Sequence, residues 1–115
     1  MTRREQFNLE FHKSVMPDGT MDYDCEAMTD VNQDLVFATI LRGFDEYDSE
    51  DIIESISEAQ KGESDYRDFY CPDSLTDGFA IIISPPNVII STDEYIQPLQ
   101  VWKELMQEWL VFLKT

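Results

Sequence analysis

The residues of this chain with the greatest capacity for chemistry are carboxylates, and they are concentrated between positions 45 and 77. That segment holds 12 acidic residues and only two basic ones, Lys61 and Arg67. Carboxylates at this density can act as general acid and base, ligate a cation, or attract a basic partner. The spacing of the acidic residues and the residue types around them indicate which of these three roles is favoured.

Catalysis and metal binding are both disfavoured by the residue pattern. No pair of acids stands in clearly different surroundings, as an acid–base pair requires. His12 is the only histidine, no Gly-x-Ser-x-Gly nucleophile motif occurs, and the four glycines are scattered. An EF-hand is excluded because Tyr47 and Ser49 occupy ligand positions and the turn lacks glycine. We therefore expect no enzyme activity, no metal and no cofactor.

The third possibility, recognition of a basic partner, fits the way aromatic residues alternate with the acids. Tyrosine is frequent in interfaces because it combines apolar area with a hydrogen-bonding hydroxyl. An ordinary solvated helix face is an equally good interpretation of the acids alone. The predicted partner-binding residues are Asp45, Glu46, Tyr47, Asp48, Asp51, Glu54, Glu58, Asp65, Tyr66 and Asp68.

Composition indicates a folded acidic domain over residues 1–115. The formal net charge is −16, yet 43% of the residues are hydrophobic and 12% are aromatic, which excludes a disordered acidic tail. Such a charge repels nucleic acid and anionic membranes. There is no membrane-spanning run and no signal peptide, so we expect a cytoplasmic protein. For Cys25 and Cys71, reduced thiols are favoured over a disulfide.

The N-terminal half predicts a β-hairpin followed by a helix. Apolar and polar residues alternate over 6–16 and 20–28, on either side of a Pro-Asp-Gly turn. The apolar spacing over 31–44 predicts a helix capped by Asp30 with Gln33 as a weak capping box, although a strand over 36–41 stays open.

The C-terminal half predicts a second helix, a loop, two strands and a last helix. The second helix runs from a Ser49 cap to Gly62, and an irregular loop follows over 63–77. Two apolar strands, over 78–84 and 87–92, are expected to be central and covered on both faces. The last helix starts near Pro98. The predicted fold is α+β, with an antiparallel sheet of about four strands, two to three packed helices and the order ββ-αα-ββ-α.

Small size, strong acidity, a real core and no catalytic motif together resemble the immunity proteins of bacterial toxin systems, including contact-dependent growth inhibition and other polymorphic toxins. The resemblance covers the whole chain as a profile and assigns no residue a role. It implies neutralisation of a cognate basic toxin, often a nuclease, through occlusion of its active site or substrate-binding face. A DNA mimic and a non-catalytic acidic adaptor domain remain alternatives, and the oligomeric state stays open.

Overall fold

The computed structural model describes residues 1–62, 67–70, 80–90 and 95–115, with residues 67–70 and Ala80 described through their backbone. Strands and helices occur in consecutive groups along the chain. The elements are α1 (Arg3–Gln6), β1 (Leu9–Val15), β2 (Met21–Ala27), α2 (Asn32–Arg42), α3 (Glu46–Gln60), β3 (Arg67–Tyr70), β4 (Ala80–Ser84), β5 (Asn87–Ile90), β6 (Tyr95–Pro98) and α4 (Leu99–Leu113).

The α+β class is confirmed, but the strands form two antiparallel sheets rather than one. β1 and β2 make a two-stranded sheet, and the remaining strands make a four-stranded sheet in the order β3-β4-β5-β6. The predicted order lacked α1, β3 and β6. Each of these has only four residues, too few for a hydrophobic period to be read, and β3 interrupts the segment 63–77 that was expected to be irregular.

The N-terminal hairpin is confirmed, in a register that pairs Leu9 with Ala27 and Val15 with Met21. Its inner face is buried only near the base. Leu9 is 4% exposed, whereas Val15 is in the same phase and 69% exposed. Alternation therefore predicts the face of each residue correctly, but the hairpin extends beyond the core that could cover its tip.

The predicted helix over 31–44 is confirmed as α2, Asn32–Arg42, which excludes the strand alternative over 36–41. The predicted Asp30 cap is wrong, because Val31 occupies the N-cap position and makes no side-chain capping bond. Thr29 supplies the local hydrogen bond instead, its Oγ1 accepting from the Val31 amide at 3.3 Å. Gly43 is the C-cap residue of the helix.

α4 is the central element of the core, as its apolar stripe predicts. Trp102 is fully buried and Trp109 is 1% exposed. The ring of Phe37 on α2 meets Trp102 edge-on at 5.0 Å, and the ring of Phe11 on β1 meets Trp109 in the same way at 5.0 Å. Edge-to-face geometry of this kind adds to the gain from buried area. The helix starts next to Pro98 as predicted, with Pro98 as its N-cap residue.

The four-stranded sheet is covered completely on one face only. β4 and β5 are central strands, as predicted. Ile81 and Ile83 are fully buried, whereas Ile82 is only partly buried and Ile96 on the neighbouring β6 is 54% exposed. The second face of β4 and β5 is therefore covered in part, with Ile82 and Ile89 partly buried. Continuous apolar sequence did not distinguish the face against the helices from the other one.

A buried carboxylate joins the hairpin to α2, and the sequence did not single it out. Asp34 is 3% exposed and accepts hydrogen bonds from Asn8 Nδ2 at 3.1 Å and Thr29 Oγ1 at 2.9 Å. Asn8 has a φ of 55°, a left-handed conformation that asparagine tolerates better than most residues. These hydrogen bonds compensate the desolvation of the buried carboxylate.

Cys25 is a free, fully buried thiol on β2, and we expect it to be unreactive in the folded protein. Burial raises the pKa of its thiol to about 12, so the nucleophilic thiolate is nearly absent at any pH below that value. In a Cys71→Ser variant, a disulfide reagent such as dithionitrobenzoate should label Cys25 only after denaturant is added. Labelling of the native variant at the rate of a free thiol would contradict this.

Candidate partner-binding surface

The candidate surface is built on α3, whose first residues are set by Asp45. The Asp45 side chain caps the helix, with Oδ1 accepting from the Asp48 amide at 2.8 Å. The predicted cap, Ser49, is wrong: it lies inside the helix and is fully buried. Asp45 suits the position because a carboxylate both accepts from free amides and complements the positive end of the helix.

α3 packs antiparallel against α4, and this packing determines which of its faces is exposed. Ile52 and Ile56 are fully buried on the inner face. At one end, Gln60 Nε2 donates to Gln100 Oε1 at 2.8 Å, and at the other Lys114 Nζ lies 3.1 Å from Glu50 Oε1. The carboxylates on the side of α3 opposite these isoleucines therefore lie on the solvent side of the helix.

The predicted partner-binding residues on α3 lie along the whole helix and differ in their exposure. Tyr47 is 77% exposed, and Glu46 and Glu54 are exposed as well. Asp51 and Glu58 are partly buried. The structure thus brings the predicted residues from Asp45 to Glu58 onto a single helix, one end of which presents an exposed aromatic ring among acids.

The electrostatics of this surface are unbalanced. Within the described ranges, no Lys, Arg or His lies within salt-bridge distance of Glu46, Glu54 or Glu58. Partial burial and then the nearby charge of Asp45 raise the pKa of Asp48 above its ordinary value. A basic group arriving there would therefore meet carboxylates whose mutual repulsion is not yet compensated.

The remaining predicted residues are not assembled with α3 by the described part of the chain. Asp65 and Tyr66 lie outside the described residues. Asp68 belongs to β3, where its backbone pairs with Ile82. The surface defined by the structure is therefore Asp45, Glu46, Tyr47, Asp48, Asp51, Glu54 and Glu58, called here the α3 surface.

A second acidic row, on the outer face of the hairpin, was not included in the predicted set. The register places Glu10 opposite Glu26 and His12 opposite Asp24. His12 Nε2 lies 3.4 Å from Glu10 Oε1 and 3.6 Å from Glu26 Oε2. The alternation of Asp22, Asp24 and Glu26 was the signal in the sequence, but their cross-strand neighbours became known only with the register.

Two further observations bear on the chemistry available. In the described part of the chain, no group of three or more His, Cys, Asp or Glu side chains is arranged to hold a metal ion. Among the same residues, no helix is both long enough and apolar enough to cross a membrane.

The buried Ser49 hydroxyl on the inner face of α3 leads to a stability prediction. Its Oγ has no hydrogen-bond partner among the described residues. We expect Ser49→Ala to raise the free energy of unfolding by about 1 kcal/mol, since it removes an unsatisfied buried polar group and introduces a better helix former. Urea denaturation followed by circular dichroism measures the change.

Ser57→Ala is the matched control on the same helix. Its hydroxyl donates to the Ile53 carbonyl at 2.9 Å, so the same substitution removes a hydrogen bond that is made. We expect a change within about 0.5 kcal/mol. Destabilisation by Ser49→Ala would mean that its hydroxyl is satisfied in solution.

Comparison of the chain with protein-family models, with curated proteins and with solved structures finds no match. The functional interpretation therefore depends on the surface itself.

Proposed function

We propose that this protein is an immunity protein that binds a cognate basic toxin domain, a nuclease being the best fit, and neutralises it by covering its active site or substrate-binding face. The observation that supports this most is the α3 surface, where exposed Glu46 and Glu54 and partly buried Glu58 have no basic residue of the described chain within salt-bridge distance. In this proposal the protein is cytoplasmic and acts without catalysis.

The physical reason is electrostatic complementarity. A nuclease needs a positively charged cleft to hold the phosphate backbone of its substrate. A rigid helix carrying carboxylates can occupy such a cleft, and the long-range field accelerates the encounter. Tyr47, 77% exposed among these acids, supplies apolar area and a flat face for an arginine side chain. The buried isoleucine face keeps the helix in place.

A DNA mimic that inhibits a nucleic-acid-binding protein is the second candidate. The observation that favours it is the additional acidic row on the hairpin, which extends the negative charge beyond α3. The two candidates differ in the partner: a toxin has a lethal activity that is abolished on binding, whereas the target of a DNA mimic is a DNA-binding protein without toxicity of its own.

The test is affinity capture with this chain as bait, at low (about 50 mM) and physiological (about 150 mM) salt. Mass spectrometry then identifies the retained proteins. We expect one basic protein held through physiological salt, whose purified toxic activity falls to zero at one equivalent of this chain. Retention of many basic proteins that are all released by salt would favour a general acidic adaptor and contradict the proposal.

A further inference from the structure

We infer that the face formed by α2 and the outer side of the hairpin is a second docking surface, shaped for a basic amphipathic helix of a protein partner. The inference rests on the proposed function in one respect, since it assigns to the basic partner a contact beyond the α3 surface. It is carried by the juxtaposition of exposed aliphatic side chains with the acidic row of β1 and β2.

The apolar part of this surface consists of Met28, Val31 and Leu35. Their exposed fractions are 60%, 54% and 43%. Val31 and Leu35 are four residues apart, and the Leu35 amide donates to the Val31 carbonyl at 3.1 Å, so both lie on one side of the first helical turn. Met28 is exposed in the short connection from β2. Exposed aliphatic side chains that lie side by side are typical of interaction surfaces.

The acidic part consists of Glu10, Asp22, Asp24 and Glu26. Cys25 is fully buried, so alternation along β2 directs its acidic neighbours to the outer face. α2 packs alongside β2, and Arg42 Nε at its end lies 3.8 Å from Asp24 Oδ1. Arg42 also donates to Thr39 Oγ1 at 3.0 Å, and Thr39 Oγ1 donates to the Leu35 carbonyl at 2.9 Å, so these contacts lead along α2 from Asp24 to Leu35.

Charge complementarity identifies the occupant. A partner segment that covers the exposed aliphatic residues also lies next to the carboxylates of the acidic row. It must therefore carry apolar side chains and basic side chains close together. Glu10 and Glu26, with 53% and 63% of their side chains exposed, stand directly opposite each other, with His12 Nε2 within 3.6 Å of both carboxylates. Facing carboxylates favour the addition of an opposite charge from a partner. A helix with leucine-like residues on one stripe and lysines or arginines beside it satisfies both parts. A second copy of this chain, also at −16, does not.

The test uses a fluorescent synthetic peptide of leucine and lysine, about five helical turns long, with leucines on one stripe. A second peptide of the same composition has its leucines distributed around the helix. Anisotropy at physiological salt should show binding of the amphipathic peptide, with at least about fivefold weaker binding of the distributed one. Equal binding of both peptides would overturn the inference, because charge alone would then explain it.

Variants locate the binding on the protein. We expect Val31→Ser combined with Leu35→Ser to weaken binding of the amphipathic peptide about tenfold. Val111→Ser is the control, because Val111 is equally apolar and 65% exposed but lies on α4. It should change the affinity less than about twofold. Unchanged affinity of the double variant, with its circular dichroism spectrum intact, would overturn the inference.

Backbone amide chemical shifts of the labelled protein provide a second measurement that does not depend on any variant. Shifts induced by the amphipathic peptide should fall on residues 22–36 and on β1, and shifts confined to α3 would overturn the inference. If the peptide does not bind at this face but binding of the captured toxin still depends on the α3 surface, the proposed function stands and only this inference fails. Conversely, peptide binding at this face without any captured toxin leaves this surface established and refutes the immunity function.

Discussion

Trp109→Ala is expected to lower the free energy of unfolding by about 3–5 kcal/mol, enough to unfold a large fraction of the molecules of a marginally stable domain. Trp109 is 1% exposed and packs against Phe11 at 5.0 Å and Phe112 at 5.7 Å. Its Nε1 donates to the Phe44 carbonyl at 2.9 Å, so truncation also leaves a buried acceptor without its donor. Urea denaturation followed by far-ultraviolet circular dichroism measures the loss.

Two control variants separate the contributions to that loss. Trp109→Phe retains an aromatic ring but cannot donate to Phe44, and we expect a cost of about 1–3 kcal/mol from the lost hydrogen bond and the smaller ring. Val111→Ala, two residues further along α4 and 65% exposed, should cost at most about 0.5 kcal/mol. If Trp109→Ala cost less than 1 kcal/mol, on the order of a surface substitution, the central role of α4 in the core would be wrong.

The second large effect concerns association with the partner. We expect Glu54→Lys combined with Glu58→Lys to slow association with the captured toxin by about a hundredfold at low salt, because the steering field at α3 is reversed. Asp51 is left unchanged because it already takes part in an interaction within the protein. The fold should persist, since Ile52 and Ile56 hold the opposite face of the helix. Stopped-flow or biolayer measurements over a range of salt concentrations give the rates.

A charge-matched comparison shows whether the location of the charge matters. Glu54→Gln with Glu58→Gln raises the net charge by two, and Gln107→Lys with Val111→Lys raises it by the same two on the exposed side of α4. The first pair should slow association about tenfold and flatten its salt dependence, and the second should slow it less than about threefold. Equal effects of the two pairs would mean that net charge, and not the α3 surface, governs recognition.

Much of the local structure could be predicted because local periodicity and chain chemistry specify it. Leu99, Trp102, Leu105 and Trp109 repeat at three- and four-residue spacing, which leaves a helix buried along one stripe as the only regular solution. The alternation around the Pro-Asp-Gly turn specifies a hairpin in the same way. The acidic face of α3 follows from the same helical period, so its candidate residues up to Glu58 were found without a structure.

Only the tertiary structure decided which apolar residues of each element became buried in the core. It also decided which short segments became strands. Val31 and Leu35 fit the apolar pattern of α2 as well as Phe37 does, yet they stay exposed. The first turn meets the rest of the described chain on its other sides, through Asn32 with Tyr95 and Asp34 with Asn8. Ser49 fits a cap but is buried, since Asp45 caps the helix one turn earlier. β3 and β6 gain their hydrogen bonds only from neighbouring strands, and Asp34 gains its burial from the hairpin. The pattern of neighbouring residues determined where most helices and strands form. Contacts between residues distant in sequence determined which side chains are buried, because burial requires another element to pack over the side chain.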